Sequence, residues 1–149
     1  MQEQKITPFL WFEGRAEEAV RFYVSLFPGH AKVLTVTPMV VAFELFGVRY
    51  HALNGGPHYP QTPAFSLYVS CADQAEVDRL WDAFLSNGGR ESRCGWLQDR
   101  WGVSWQIIPE ALPKLINDPD PQKAKRATEA MLGMQKIDVA ALERAHAGK

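Results

Sequence analysis

Two segments of this 149-residue chain carry the same pattern of apolar residues, displaced by 58 positions. The pattern runs i, i+3, i+4, i+7 and i+8, which places its members on one face of an amphipathic helix. The copies are Ala19, Phe22, Tyr23, Leu26 and Phe27, then Val77, Leu80, Trp81, Phe84 and Leu85. Pro28–Gly29 and Gly88–Gly89 predict the helix ends, and Asp73 with Glu76 predicts a capping box before the second helix. The chain therefore contains a duplicated unit.

Predicted strands flank both helices and repeat in the same way. Gly47–Asn54 (GVRYHALN) aligns with Gly102–Pro109 (GVSWQIIP) at a displacement of 55. The other strand segments read ITPFLWF, AKVLTVTP and MVVAFELF in the first copy, and PAFSLYVS and RESRCGWL in the second, where QDRWG forms a turn. The order βαβββ therefore occurs twice, in modules at about 4–54 and 63–109. Together they predict one α+β domain over 1–109.

Residues 110–149 have no counterpart in the repeat and are predicted to be helical, as an extension of the same domain. Asp120 followed by Pro121 is typical of an N-cap and a first helical turn. Asp138 can cap a last helix. Met131 and Met134 form a narrow apolar stripe, which predicts packing on the protein's own sheet; contact with a partner subunit is the alternative, since methionine suits adaptable contacts.

Composition excludes several classes of function. Apolar residues make up 46% of the chain, charged residues 22%, and the net charge is −1. Lysine and arginine are scattered, so we expect no nucleic-acid partner. No apolar run is long enough for a membrane span, and MQEQKITP lacks the apolar centre of a signal peptide, which predicts a cytoplasmic protein without a membrane partner. Cys71 and Cys94 suit a reducing compartment, and we expect no disulfide between them.

The segments ITPFLWFEGRAEEAVRFYVSLFP, HALNGGP, CGWLQDRWGVSWQIIP and DPDPQKAKRATEAMLGMQKIDVAALERA resemble the PhnB-like branch of the vicinal oxygen chelate superfamily. This superfamily includes glyoxalase I, bleomycin-resistance proteins and extradiol dioxygenases, and the branch is often labelled 3-demethylubiquinone-9 3-methyltransferase. The resemblance covers nearly the whole chain. It implies that the two modules form a cup of curved sheets, with a metal at its floor held by the first and last strands of each module.

The metal positions that the resemblance implies are Pro8, His51, Ser66 and Gln106. Gln106 stands where the superfamily keeps a glutamate. Proline cannot bind a metal through its side chain, serine and glutamine are poor ligands for divalent transition metals, and a catalytic zinc takes three protein ligands. We therefore expect no metal and no other cofactor.

Alternation along the strands sorts the remaining side chains by face. If Gln106 faces the cup, then Ser104 and Ile108 face it too, as do Ser66, Tyr68 and Ser70 of the preceding strand and Arg49, His51 and Leu53 of the first module. The opposite faces are apolar. The predicted ligand-binding residues of the cup floor are therefore His51, Gln106, Ser66, Tyr68 and Arg49, because a few convergent polar groups in a concavity are typical of a small-molecule site. The alternative is that these groups hydrogen-bond one another or face a subunit interface.

Three functions remain open. The first is a metal-free, bleomycin-resistance-like protein, a homodimer that binds a small organic molecule. The second is an enzyme: a lyase or isomerase, an acid–base catalyst using His51 and Tyr68, or a methyltransferase as the branch label says. The third is a structural dimer with a filled cup. The methyltransferase has no support in the residues, because EGRAEE, after the first strand, lacks a glycine-rich cofactor turn.

Two turns carry weaker expectations. The segment Gly55-Gly56-Pro57 predicts a turn, and the alternative interpretation is a mobile lid over the cup. Asp99 and Arg100 lie in the predicted turn of the second module, where we expect an exposed pair.

Overall fold

A computed structural model describes residues 3–149, and it confirms the α+β class with two four-stranded open sheets. Within residues 3–149 the chain separates into two compact units, one that ends at Gln61 and one that runs from Thr62 to Lys149. The elements of the first unit are β1 (Phe9–Phe12), α1 (Ala16–Ser25), β2 (Ala31–Val36), β3 (Val40–Leu45) and β4 (Val48–Asn54). Those of the second are β5 (Ser66–Cys71), α2 (Gln74–Ser86), β6 (Arg90–Glu91), β7 (Trp96–Gln98), β8 (Ser104–Pro109), α3 (Ala111–Ile116), α4 (Pro121–Leu132) and α5 (Val139–His146).

The predicted repeat is confirmed by sheet topology. The strand orders are β1-β4-β3-β2 and β5-β8-β7-β6, so each sheet places its first strand beside its last. In both sheets this pairing is parallel and the other pairings are antiparallel. A parallel pair needs a crossover connection, which in each unit includes the amphipathic helix.

The helices cover one face of their sheets through the predicted stripes. Tyr23 of α1 is fully buried and contacts Phe43 of β3, and Phe84 of α2 packs against Trp105 of β8 with ring centroids 5.0 Å apart. The α1 helix ends at Ser25, before Pro28. Leu26 and Phe27 are still buried beyond its last turn.

One predicted strand of the second module is wrong. RESRCGWL divides into β6 and β7, because Cys94 and Gly95 both adopt left-handed backbone angles, with φ of 57° and 86°. Because this turn divides the segment into two strands, three strands follow α2. The second unit therefore has the same βαβββ order as the first.

The predicted capping box of α2 forms only in part. The Asp73 side chain accepts a hydrogen bond from the Glu76 N–H at 3.0 Å, as expected. Glu76, however, reaches back to the N–H of Ala72 and not to that of Asp73. The α1 helix has no local side-chain cap at all: Arg15 sits in a left-handed conformation, and the Asn54 side chain from β4 accepts the Ala16 N–H at 2.8 Å.

The expectation of an exposed Asp99–Arg100 pair is wrong for Asp99. Its side chain is buried, with 4% of the residue exposed. It accepts hydrogen bonds from the N–H groups of Trp101 and Val103 and from the Trp105 indole, at 2.9, 3.0 and 3.0 Å. The carboxylate thus stabilises the turn between β7 and β8. It is buried because the donors that it binds lie on the inner side of that turn.

The C-terminal helices belong to the second unit. Ile108 of β8 forms a buried cluster with Leu112, Ile137 and Leu142, and Met131 and Met134 pack against it. The predicted packing of the two methionines on the chain's own sheet is therefore confirmed. Ile108 lies on the same face of β8 as Gln106, as strand alternation predicted, and the extension buries it there.

The predicted helix caps of the extension are confirmed. Asp120 accepts from the N–H groups of Gln122 and Lys123, and Asp138 accepts from that of Ala141. Gln74 at the start of α2 fastens the extension to the repeat. Its side chain donates to the Ile137 carbonyl and accepts from the Val139 N–H.

Both cysteines are unpaired thiols. Burial, with a smaller effect of Glu76, raises the pKa of Cys71 to about 12, so this thiol is inert as a nucleophile near neutral pH. Residues 3–149 include no helix that is both long and apolar enough to span a membrane.

Candidate functional site

Gln106 lies at the centre of one face of the second sheet. Its register neighbours are Tyr68 on β5 and Trp96 on β7, so an amide stands between two aromatic residues. Trp105 and Ile107, on either side of it in sequence, are fully buried on the opposite face. The predicted sorting of this strand by face is therefore confirmed for Gln106 and Trp105.

Ser66 and Ser104 lie on the same face, two residues before Tyr68 and Gln106 on their strands. The Gln106 amide nitrogen donates to the Ser66 hydroxyl oxygen at 2.9 Å, and Ser66 is the register partner of Ser104. Ser104 is 1% exposed, and its hydroxyl has no hydrogen-bond partner among residues 3–149. Buried polar groups are normally paired. A buried, unpaired hydroxyl therefore lies next to an ordered amide on this face.

Tyr68 is the most exposed of the predicted site residues in this unit. Partial burial, with a smaller effect of Cys71, raises the pKa of its hydroxyl above the usual value. The group therefore stays protonated at neutral pH and can donate a hydrogen bond. It is a poor candidate for a general base, which would have to lose its proton near that pH.

His51 lies on one face of the first sheet with Phe9 and Ala42 as its register neighbours. The Phe9 ring meets the imidazole edge to face, with centroids 5.2 Å apart. Pro8 was expected on this face and is not: strand alternation places it opposite Phe9. Phe9 and Tyr68 occupy the same register position in the two sheets, 59 residues apart, whereas the helices are displaced by 58. That one-residue difference misplaced Pro8.

Arg49 stands two residues from His51 on the same strand and has Glu44 as its cross-strand neighbour. Its backbone N–H and carbonyl both bond the Gln4 side chain, at 2.9 and 2.8 Å. Its side chain is exposed. Arg49 thus lies on the predicted face of its own sheet, beside a carboxylate.

The structure gives the predicted site as two groups. Ser66, Tyr68 and Gln106 lie together in the second unit, and Arg49 and His51 lie together in the first. Convergence of the two groups on one ligand stays a prediction.

The loop after β4 is tied to β1. The Trp11 indole donates to the Gly56 carbonyl at 2.9 Å, the Gln61 side chain donates to the Trp11 carbonyl, and the Tyr59 ring packs edge-on against the indole. A Cβ atom on Gly55 would lie 2.3 Å from the Trp11 ring, so only glycine fits there. These contacts favour the turn interpretation of the GGP segment over the mobile lid.

Three features of these faces were not predicted from the sequence. They are the positions of Phe9 and Trp96 and the unpaired hydroxyl of Ser104. Phe9 and Trp96 are neighbours of site residues only through strand register. An alignment of β1 on β5 at a displacement of 59 would have matched Phe9 with Tyr68, and Thr7 in place of Pro8 with Ser66. The missing hydrogen bond of Ser104 has no signal in sequence.

Comparison with known proteins now places the chain. A sequence model of the 3-demethylubiquinone-9 3-methyltransferase family matches residues 4–108, well over half of the chain. The chain belongs to this family. The match spans both modules and stops near the end of β8, so the helical extension lies outside it.

Solved structures agree with this family assignment. The chain is similar to a putative 3-demethylubiquinone-9 3-methyltransferase, PhnB protein, from Bacillus cereus, with 32% identity, a TM-score of 0.65, and coverage of 71% of this chain and 99% of that one. It shares its fold with the fosfomycin resistance protein FosX from Listeria monocytogenes, solved with Mn(II) and sulfate (12% identity, TM-score 0.54, coverage 70% and 88%). These relatives confirm the glyoxalase-like fold. Comparison with curated proteins gives no match.

The residues of this family member do not fit the metal that the wider fold implies. The second unit offers an amide and a hydroxyl that are bonded to each other, and the first offers one imidazole packed against Phe9. Within residues 3–149, no three histidine, cysteine or acidic side chains are grouped so as to hold a metal ion. The donor set therefore supplies one imidazole and no carboxylate, which is fewer such ligands than a divalent ion needs.

Proposed function

We propose that the protein is a metal-free, glyoxalase- and bleomycin-resistance-like member of its family that binds a small organic molecule. The observation that carries the proposal is the row Tyr68–Gln106–Trp96. It joins two aromatic surfaces to an amide held in place by Ser66. Small-molecule sites combine apolar walls with a few oriented polar groups in this manner.

The proposal includes His51 and Arg49 as the contribution of the first unit to the same site. Their sheet repeats the topology of the second, and His51 holds the position of Gln106 in it, 55 residues earlier. In both sheets this position is flanked by an aromatic side chain from the first strand, Phe9 or Tyr68. The duplicated arrangement supports a ligand held from both sides by equivalent rows.

A pair of substitutions tests the metal-free proposal and the convergence of the two rows together. The side chains of Ser66 and Gln106 already meet at 2.9 Å, so S66H with Q106E sets an imidazole beside a carboxylate. If His51 converges on them, the three ligands form a zinc site with an open position. Calorimetric titration with zinc should give about one tightly bound ion per chain for the double variant and only weak binding for the wild type.

The triple variant with H51A is the control for this experiment. It should lose most of the gained affinity, while circular dichroism shows the same fold. Stoichiometric, tight zinc in the wild type would contradict the metal-free proposal. Equal affinity of the double and triple variants would show that His51 does not reach the other row.

A methyltransferase is the second candidate, because the family description names that activity. The geometry at the start of α1 opposes it. The turn from β1 into α1 passes through Arg15, and the Ala16 N–H is already bonded to Asn54, so no glycine-rich turn presents free N–H groups to a cofactor. Titration with S-adenosylmethionine should show no saturable heat below millimolar concentration. A low-micromolar isotherm would reinstate the methyltransferase.

A further inference from the structure

A groove of about 430 Å³ opens at one end of the first unit, between the α1–β2 turn and the tip of the β3–β4 hairpin. None of the predicted site residues lines it. Its walls are Gly29, His30, Ala31, Lys32, Glu44, Phe46 and Gly47. The groove is thus distinct from the predicted site and adjoins it only through Arg49, the strand neighbour of Glu44.

The hairpin tip carries a residue that its backbone disfavours. Phe46 and Gly47 form a two-residue loop, and both have positive φ, 49° and 81°. Such a loop favours asparagine, aspartate or glycine at its first position, because a left-handed backbone crowds a larger side chain. Phe46 is also 58% exposed. A strained conformation that holds an aromatic ring at the surface points to a use for that ring.

The Phe46 ring belongs to an aromatic platform. It stacks on the His30 ring with centroids 4.9 Å apart and planes inclined by 11°, and the Phe27 ring supports it edge-on at 5.2 Å. The Phe46 N–H also bonds the His30 carbonyl at 2.7 Å, which fixes the hairpin to the turn. A flat ring could extend this platform by stacking.

The polar side chains of the groove retain hydrogen-bonding capacity and a positive bias. Lys32 lies 3.8 Å from Glu44, beyond hydrogen-bond distance, and is largely exposed. The ring nitrogens of His30 make no hydrogen bond within residues 3–149. Arg49 is the strand neighbour of Glu44 on the other side. Two cationic side chains therefore flank a single carboxylate. The net charge of the three groups is positive, which favours the binding of an added anion.

We propose that this groove binds a planar aromatic carboxylate. Its ring would stack on the Phe46–His30 platform, and its carboxylate would accept hydrogen bonds from the Lys32 ammonium group. Ring and charge are both needed: stacking alone on an open surface is weak, and so is an exposed ion pair.

The test uses 2-naphthoate as the probe and backbone amide NMR shifts of the full chain as the readout. Saturable binding below millimolar Kd should shift the amides of Gly29, Lys32 and Gly47 most. Two matched probes separate the contributions: 2-naphthamide lacks the charge, and cyclohexanecarboxylate lacks the flat ring. Each should bind about tenfold more weakly or worse. Equal binding of 2-naphthamide, or no saturation by 2-naphthoate, would overturn the proposal.

Variants locate the site. F46N replaces the ring by the residue that the turn favours, so it should fold normally and bind 2-naphthoate about tenfold more weakly. K32Q keeps the length of the side chain without its charge and should weaken binding several-fold. K125Q, at an exposed lysine of the other unit, is the control and should leave the affinity unchanged. Unchanged affinity of F46N, or an equal loss of binding in K125Q, would show that the probe does not occupy this groove.

Discussion

Asp99 illustrates how much one side chain can organise. It is a buried acid that accepts three hydrogen bonds, two from the backbone of its own turn and one from the Trp105 indole. Trp105 in turn packs on Phe84 of α2. The carboxylate therefore connects the turn before β8 to the helical side of the sheet, and its loss would leave buried donors unpaired.

Replacement of Asp99 should destabilise the protein in proportion to the acceptors lost. We expect D99A to lower the free energy of unfolding by about 3 kcal/mol, because three donors lose their partner. D99N retains one oxygen and should lose about 1–2 kcal/mol. Urea titration followed by circular dichroism measures both. The exposed Asp82 on α2 supplies the control D82N, within about 0.5 kcal/mol of wild type. A D99A variant as stable as D82N would contradict the structural role.

At the scale of elements, the start of α1 depends on a distant residue. Asn54, at the end of β4, accepts the Ala16 N–H and donates to the Pro38 carbonyl. The next residue, Gly55, packs against the Trp11 ring. The segment ALNGGP thus links the end of β4 to the start of α1, to the turn between β2 and β3, and to β1. These structural contacts explain its residues without a catalytic role.

Substitution of Asn54 tests this arrangement. N54A removes the helix cap and should cost about 1–2 kcal/mol. N54D keeps the acceptor and adds a negative charge at a helix N-terminus, so it should cost less. N117A, at an exposed asparagine that bonds only its own helix, is the control. Hydrogen exchange at Ala16 should quicken in N54A and stay near wild type in N54D. Equal rates in the three variants would exclude the cap.

On the scale of the whole molecule, the predicted homodimer is still to be tested. Met131 and Met134 pack on the buried cluster of the extension and are themselves partly buried. Leu132, between them in sequence, is 59% exposed at the end of α4. Leu132 is therefore the position at which we test a contact through the extension.

Sedimentation at micromolar concentration should give twice the chain mass of 16.8 kDa. L132K should shift the distribution toward the monomer, because a buried lysine at the contact would lose its hydration. E129K, on the same helix and exposed, should keep the dimer. A monomeric wild type would remove the dimer. A dimer that L132K does not weaken would place the contact away from the extension.

The sequence by itself determined the duplicated βαβββ order, both helical stripes and the caps at Asp120 and Asp138. These features depend on spacing and on contacts between near neighbours, which periodicity records directly. The face of β8 on which Gln106 lies also followed from strand alternation.

Only the tertiary structure decided the rest, because each point depends on strand register or on partners far apart in sequence. Strand register, and not the helix offset, showed that Phe9 and not Pro8 is the neighbour of His51 on its face of the sheet. The backbone turn at Cys94 divided one predicted strand into two. The burial of Asp99 is explained by its hydrogen bond with the Trp105 indole. The burial of Ile108 is explained by its contacts with the helical extension, which is not part of the repeat. A linear pattern does not record which distant groups meet.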